Sequence, residues 1–283
     1  MEDTLDRIPA RRQGTIAGMV QRFLAAAAVW LFIAASAYAQ NGTLIVVGGG
    51  QTGPDIVSKA LEIAGGRNAV VAVLPQASAE PDAGDGSVTM WKDAGAREAI
   101  KVSFADPAAA EAVLKRATLI WMPGGDQNRF MKAIEGTGLD NVIRERYQHG
   151  GAVGGTSAGA AVIVRSMFTG DADLKSLTAG ATVIAPGLAL WPEVLVDQHF
   201  LTRQRGNRLL SAVLDHPDLV GVGIDESTGV IVRGRGFDVI GKSSVLVIDA
   251  RRATVDKVAP GQHVSGRNIT LAVLHAGQHY DLR

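Results

Sequence analysis

The chain of 283 residues contains no cysteine and has no excess of either charge. Without cysteine it can form no disulfide, hold no metal through thiolates and use no cysteine as a nucleophile. Its 28 basic and 28 acidic residues balance to a formal charge of zero. Composition therefore gives no electrostatic reason to expect nucleic acid or an anionic membrane as a partner. Glycine, by contrast, is abundant, and its 34 residues indicate many tight turns in a globular protein.

The first 39 residues differ in character from the rest of the chain. Four arginines precede an apolar run of 17 residues at 23–39, which ends in Ala37-Tyr38-Ala39. This order predicts a signal peptide at 1–39, cleaved after Ala39, and a secreted or periplasmic mature chain that is free of the membrane. The run is also near the lower length limit of a bilayer span, so an uncleaved anchor stays open as the alternative.

Residues 40–283 show the pattern of a single α/β domain. Runs rich in β-branched residues alternate with helical patterns, and the predicted strands are "TLIVVG", "NAVVAVLP", "IKVSFA", "TLIWMP" and "AVGGTS". This alternation predicts a mostly parallel central sheet with helices on both faces. After about Gly221 the β runs follow one another closely, which predicts antiparallel strands that extend the sheet or cover one end.

One serine lies where a predicted strand turns into a predicted helix. Residues 155–159 read Gly-Thr-Ser-Ala-Gly and fit the pattern G-x-S-x-G. Glycines on both sides leave room for a strained turn that exposes the hydroxyl of Ser157. The N–H of Ala158 would then lie at a helix N-terminus, where it can stabilise an oxyanion. Because the pattern also occurs by chance in glycine-rich turns, the serine needs a base and an acid elsewhere in the chain.

A serine nucleophile normally uses a histidine base that an acid orients. Of the six histidines, His199 lies in the densest polar segment of the second half, "VDQHFLTRQRGNRL". An apolar run precedes this segment and favours a buried site over a solvated helix face. Candidate acids are Asp225 and Glu226, which end a predicted buried strand where functional residues of parallel sheets collect. Asp171 and Asp173 are alternative acids, metal ligands or solvated loop residues.

Two glycine-rich loops follow predicted strands directly. The pair Gly124-Gly125 precedes Asp126, and its backbone could bring a second oxyanion donor close to the serine. The three glycines at 48–50 follow the first strand and suggest a close backbone approach to a ligand, a simple turn or a nucleotide-binding loop. They do not fit G-x-G-x-x-G, and no acidic residue ends the second strand, so we expect no dinucleotide site.

Together these segments resemble the serine peptidase family that contains cyanophycinase and aspartyl dipeptidase, which has a class I glutamine-amidotransferase-like, flavodoxin-like fold. The resemblance runs through most of residues 40–283 and is carried above all by "MPGGDQ", "GGTSAGAAV", "DQHFLTRQRGNRL" and "GIDESTG". It implies Ser157 as nucleophile, His199 as base and Glu226 as acid, whereas in the dipeptidase branch the acid would correspond to Asp171 or Asp173. Ala158 and Gly125 would supply the oxyanion hole.

The resemblance also implies a substrate pocket and a substrate. The residues implied for the pocket are Gln127, Asp197, Gln198, Arg203, Arg205 and Arg208. The implied substrate is cyanophycin, a polyaspartate backbone with arginine on each side-chain carboxylate, which would be cleaved from its end to β-Asp-Arg dipeptides without metal or cofactor. Arginine forks suit its carboxylates, and Asp197 suits its guanidinium groups.

Other functions stay open beside this one. The predicted export leaves room for a dipeptidase acting on Asp-Xaa or isoaspartyl peptides, and a non-catalytic amidotransferase-like binding module is the alternative from another class. A glutaminase is not expected, because that chemistry on this fold uses a cysteine. The relatives also imply a homodimer.

Overall fold

The computed structural model describes residues 42–170 and 177–282. The predicted signal peptide and two of the alternative acids, Asp171 and Asp173, lie outside the described residues. Within the described ranges, no helix combines the length and the apolar character that a bilayer crossing requires.

Strands and helices alternate in the first half of the chain, and strands dominate the second half. The strands are β1 (Thr43–Val47), β2 (Val70–Val73), β3 (Glu98–Lys101), β4 (Leu119–Met122), β5 (Ala152–Thr156), β6 (Ser166–Phe168), β7 (Ile184–Pro186), β8 (Val194–Gln198), β9 (Val220–Ile224), β10 (Thr228–Arg233), β11 (Gly236–Gly241), β12 (Ser244–Asp249), β13 (Thr254–Asp256), β14 (Ser265–Arg267), β15 (Thr270–His275) and β16 (His279–Asp281). The α-helices are α1 (Pro54–Ile63), α2 (Asp85–Asp93), α3 (Pro107–Arg116), α4 (Gln127–Ile134), α5 (Leu139–Gln148), α6 (Ala158–Ala161) and α7 (Gly206–Asp215).

The main sheet has eight strands in the order β16-β11-β10-β1-β5-β4-β2-β3. Strands β1, β5, β4, β2 and β3 are parallel to one another. Strands β10, β11 and β16 continue the sheet beside β1 in antiparallel pairs. This arrangement confirms the predicted α/β fold class, with a mostly parallel sheet and added antiparallel strands from the C-terminal part.

Strand β1 shows why the parallel strands are continuous apolar runs. Leu44 and Val46 face a core shared with α3, α4 and α5. Ile45 and Val47 face the opposite core, which contains residues of α1 and the side chain of Trp91 from α2. A strand covered on both faces buries every side chain, so its sequence shows no polar alternation.

A second sheet of four strands, in the order β15-β12-β9-β8, was not predicted. The predicted late strands are present and divide between the two sheets: β10, β11 and β16 extend the main sheet, whereas β9, β12 and β15 belong to the second sheet. The chain leaves the second sheet at Ile224 and enters the main sheet at Thr228. The physical reason is pairing: β9 pairs with β8 and β12, whereas β10 pairs with β1.

Helix α6 is very short and packs extremely closely on the main sheet. A Cβ atom added at Gly159 would overlap the carbonyl oxygen of Met122 in β4, which is backbone and cannot move aside cheaply. Gly86 in α2 provides a helical contrast, because a Cβ atom there would meet no atom within 4 Å.

We expect Gly159→Ala to destabilise the fold by at least about 2 kcal/mol, because the overlap with Met122 forces the helix away from the sheet. Gly86→Ala should be neutral or stabilising by up to about 1 kcal/mol, since alanine favours helix more than glycine does. Urea unfolding of both variants measures the difference. Equal stabilities would show that α6 does not depend on this close approach.

Candidate active site

The site begins where three parallel strands of the main sheet end side by side. Val47 of β1 lies opposite Thr156 of β5, and Met122 of β4 lies opposite Gly155. The loops that follow these strands therefore meet at one edge of the sheet, as is usual for sites in such folds. A Cβ atom added at Gly124 would lie 3.4 Å from the Cβ of Ser157.

Ser157 occupies a sharp turn between β5 and α6. Its backbone has φ 55° and ψ −114°, a combination that residues other than glycine rarely adopt. The Ser157 N–H donates to the carbonyl of Val47 at 3.0 Å and holds the turn against β1. Ala158 is the first residue of α6, so its N–H has no acceptor within the helix. The turn thus presents a hydroxyl beside a helix N-terminus.

Three residues distant in sequence form a continuous hydrogen-bonded chain. The Oγ of Ser157 lies 2.8 Å from Nε2 of His199, and Nδ1 of His199 lies 2.5 Å from Oε1 of Glu226. The His199 side chain is 10% exposed and that of Glu226 is 34% exposed. Because a carboxylate only accepts, Nδ1 carries the proton, and Nε2 is left to accept from the serine hydroxyl. This order of groups can remove a proton from Ser157 and stabilise the resulting imidazolium.

The three glycines after β1 make room for this chain of groups. The carbonyl of Gly48 accepts from the N–H of His199 at 2.6 Å. A Cβ atom at Gly49 would overlap the His199 imidazole, and one at Gly50 would lie 2.9 Å from the Cβ of Glu226. The sequence suggests a ligand loop, a simple turn or a nucleotide loop at these glycines, and it does not point to the histidine and glutamate that they accommodate. The signal was present as three consecutive glycines directly after a buried strand.

Asp225, the other candidate acid beside Glu226, faces a different group. Its Oδ1 accepts from the N–H groups of Leu201 and Thr202 at 3.1 and 2.9 Å, and its Oδ2 accepts from Ser243 Oγ at 2.8 Å. Burial raises the pKa of Asp225, but these hydrogen bonds outweigh it and hold the pKa below its ordinary value. Glu226 therefore bonds to the imidazole of His199, whereas Asp225 bonds to the loop that follows His199.

The six residues implied for the substrate pocket differ in exposure. Arg203 is exposed and Gln127 is half-buried, with its amide donating to the carbonyl of Phe168 at 2.9 Å. The other four, Asp197, Gln198, Arg205 and Arg208, are buried. Asp197 accepts from Arg208, and its burial raises the pKa of its carboxyl while both arginines oppose that shift. A role in substrate binding stays a prediction for all six.

Gly125 is exposed and has φ 143°, in the left-handed half of backbone space that favours glycine. A Cβ atom there would press on the backbone of Ala77, whose carbonyl also accepts from the N–H of Asp126 at 2.8 Å. The side chain of Asp126 in turn accepts from Asn128 and caps α4. The loop is thus anchored on both sides, while the oxyanion role of Gly125 stays a prediction. In the described ranges, no three acidic or histidine side chains are grouped as metal ligands.

Comparison of the sequence with known proteins shows which family the chain belongs to. Residues 44–240 match the sequence model of peptidase family S51. The chain belongs to peptidase family S51. A cyanophycinase of Geminocystis herdmanii strain PCC 6308 is 35% identical over 255 residues, which span 85% of this chain and 94% of the relative. A cyanophycinase of Synechococcus elongatus is 37% identical over 257 residues, or 86% of this chain and 80% of the relative.

A solved structure agrees in fold with this S51 chain. The crystal structure of a peptidase from an acI-B1 Actinobacterium superposes with a TM-score of 0.59 at 21% identity, covering 86% of this chain and 98% of the other. Membership of S51 confirms the resemblance predicted from the motifs and makes the chain a serine-type peptidase. The alternative of a non-catalytic binding module is therefore set aside.

If Glu226 orients His199, Glu226→Gln should lower kcat by about 10³-fold or more, because a neutral amide cannot stabilise the imidazolium. Steady-state kinetics on any peptide that this S51 chain hydrolyses would measure the change. Asp225→Asn is the matched control, since it makes the same chemical change one residue away. We expect the control to lose less than about tenfold in kcat, as its hydrogen bonds go to the loop and not to the imidazole.

Full activity of the Glu226→Gln variant would contradict this assignment. The acid would then have to be sought elsewhere, beginning with Asp171 and Asp173.

Proposed function

We propose that this S51 peptidase is an exported serine exopeptidase that hydrolyses cyanophycin and releases β-Asp-Arg dipeptides through an acyl-enzyme on Ser157. The observation that carries the proposal is the chain of hydrogen bonds from Ser157 through His199 to Glu226. Support for the substrate comes from the two sequence relatives compared above, which are cyanophycinases and match most of the chain.

The chemistry follows the order of the groups. Oγ of Ser157 attacks the carbonyl carbon of the scissile bond, and Nε2 of His199 takes its proton while Glu226 accepts from Nδ1–H. The N–H groups of Ala158 and Gly125 would donate to the oxygen that becomes negative. When the C–N bond breaks, His199 returns the proton to the leaving amine, and the acyl group stays on Ser157 as an ester.

Water completes the cycle. His199 takes a proton from the water as it attacks the ester carbonyl, and the proton then passes to Oγ as the C–O bond breaks. The strained turn at Ser157 acts here as a nucleophile elbow, because it holds the hydroxyl away from the sheet at the start of α6. In this proposal Ser157, His199 and Glu226 would supply the protein groups for each proton transfer in both halves of the cycle.

The substrate proposal also rests on charge. Cyanophycin presents carboxylate and guanidinium groups at its chain end, and Arg203 is an exposed cation in the loop that follows His199. An arginine fork binds a carboxylate through two parallel hydrogen bonds. An isoaspartyl or Asp-Xaa dipeptide offers a carboxylate as well, so the two substrate classes have to be separated by experiment.

The test of activity uses residues 40–283 with insoluble cyanophycin, beside a Ser157→Ala control. We expect the wild-type protein to release β-Asp-Arg, identified by mass spectrometry, and the control to release at least about 10³-fold less. Asp-Xaa and isoaspartyl dipeptides are assayed in parallel. Hydrolysis of these dipeptides without release from the polymer would replace cyanophycin by the dipeptidase alternative, and equal activity of the control would remove Ser157 as nucleophile.

Export is the second part of the proposal and rests on the order of charge, apolar run and small residues in 1–39. We expect the full chain, expressed in a bacterium with an outer membrane, to be recovered outside the cytoplasm with Gln40 as its first residue. Ala37→Lys and Ala39→Lys should block processing, because the peptidase that removes leaders requires small residues there. N-terminal mass spectrometry of fractionated cells distinguishes this from an uncleaved anchor, which would keep the leader in the membrane fraction.

A further inference from the structure

A buried cluster of charged groups lies next to His199, formed by Asp197, Arg205 and Arg208. Oδ2 of Asp197 accepts from Nε of Arg208 at 2.9 Å, and its Oδ1 accepts from Nη2 of the same residue. Nη1 of Arg205 lies 3.5 Å from that Oδ1. The Asp197 side chain has no exposed surface, and those of Arg205 and Arg208 are 8% and 4% exposed. Nε and Nη2 of Arg208 are thus already bonded to the carboxylate of Asp197.

The alternation of side chains along β8 explains the buried carboxylate. Leu195 and Asp197 share one face of the strand, and Leu195 packs in the core that α7 covers. A charge in this layer is tolerated only when it is paired, and α7 provides the partner in Arg208. The Arg208 guanidinium also lies 4.9 Å from the ring centroid of Phe168. The ion pair therefore sets the position of α7 against β8.

Arg205 connects this cluster to the backbone on both sides of His199. Its Nη1 donates to the carbonyl of Gln198 at 2.6 Å, and its own N–H donates to the carbonyl of Phe200 at 2.9 Å. His199 has φ 50°, in the left-handed region. A residue other than glycine stays in that region only where its surroundings hold it there. Arg205 thus holds the peptide unit that joins Gln198 to His199 through its guanidinium, and the carbonyl of the next residue, Phe200, through its backbone N–H.

We infer that Arg205 and Arg208 are positioning residues, which keep His199 between Ser157 and Glu226, and that they do not bind substrate. This differs from the pocket role that the family resemblance implied for both. The inference rests on the proposed function, because it requires His199 to serve as the base. Of the three arginines in this segment, Arg203 is the exposed one, and we expect a substrate carboxylate to meet Arg203 rather than the two buried arginines.

The test separates reactivity of the serine from affinity for substrate. Arg205→Lys is prepared in the full-length protein, and Arg67→Lys is the matched control, because Arg67 is exposed in a short turn distant in sequence. Two readouts are compared: the second-order rate at which a small neutral fluorophosphonate labels Ser157, and kcat and KM on a soluble β-Asp-Arg oligomer. The reagent contacts the serine without using a substrate carboxylate.

For Arg205→Lys we expect the labelling rate and kcat to fall together by about tenfold or more, with KM within about threefold of wild type. Lysine keeps the charge and the backbone hydrogen bond to Phe200, but it lacks the planar guanidinium that donates to the Gln198 carbonyl and lies beside Asp197. The Asp197–Arg208 pair is intact in this variant, so the fold is kept, which thermal unfolding checks. Arg208→Lys provides the second variant and should show the same split, whereas Arg67→Lys should match wild type.

A raised KM with an unchanged labelling rate in Arg205→Lys would overturn the inference, because it would place Arg205 on the substrate. Failure of the reagent to label Ser157 in the wild type would instead overturn the proposed function, and the inference with it. The two failures are therefore distinguishable.

Discussion

The candidate site depends on backbone held in a conformation that its residues do not favour. Ser157, His199 and Ser227, which follows Glu226, have φ values of 55°, 50° and 53°. The backbone N–H of each residue donates to a carbonyl at the end of β1 or in the loop after it: Ser157 to Val47, His199 to Gly48 and Ser227 to Gly49. The end of β1 is thus the common support for the three residues that carry or flank the hydrogen-bonded chain.

That support is possible because two sheets meet at this point. Ser157 leaves the main sheet, His199 leaves the second sheet after β8, and Glu226 lies in the short connection from β9 to β10. Glycine at 49 and 50 lets the imidazole and the carboxylate come as close to the backbone as the hydrogen bonds demand. A side chain at either position would push the base away from the serine, so these glycines are as necessary to the geometry as the polar groups themselves.

Charge in this region is divided between buried and exposed groups. Asp197, Arg205 and Arg208 neutralise one another in part in the buried cluster beside His199, and the Asp225 carboxylate accepts hydrogen bonds from the loop after His199. Such fully bonded groups are costly to disturb and suit a fixed framework. Arg203 stays at the surface of the same loop. One short segment therefore combines rigid support for the base with an exposed cation.

The local sequence pattern by itself determined the parallel sheet, the serine at the strand-to-helix turn and the polar segment around His199. Strands buried on both faces require apolar residues, and tight turns require glycine, so both features are visible in the residue types. Only the tertiary structure decided between Asp225 and Glu226, divided the late strands between two sheets, and buried Arg205 and Arg208 while leaving Arg203 exposed. The choice of acid depends on contacts between residues 27 to 42 positions apart. The division of the strands depends on which strands pair, and the burial of the two arginines on their packing against Asp197. Composition and spacing do not reveal such contacts. Three consecutive glycines or an arginine look the same in a sequence whether they form a turn, bind a ligand or support a histidine.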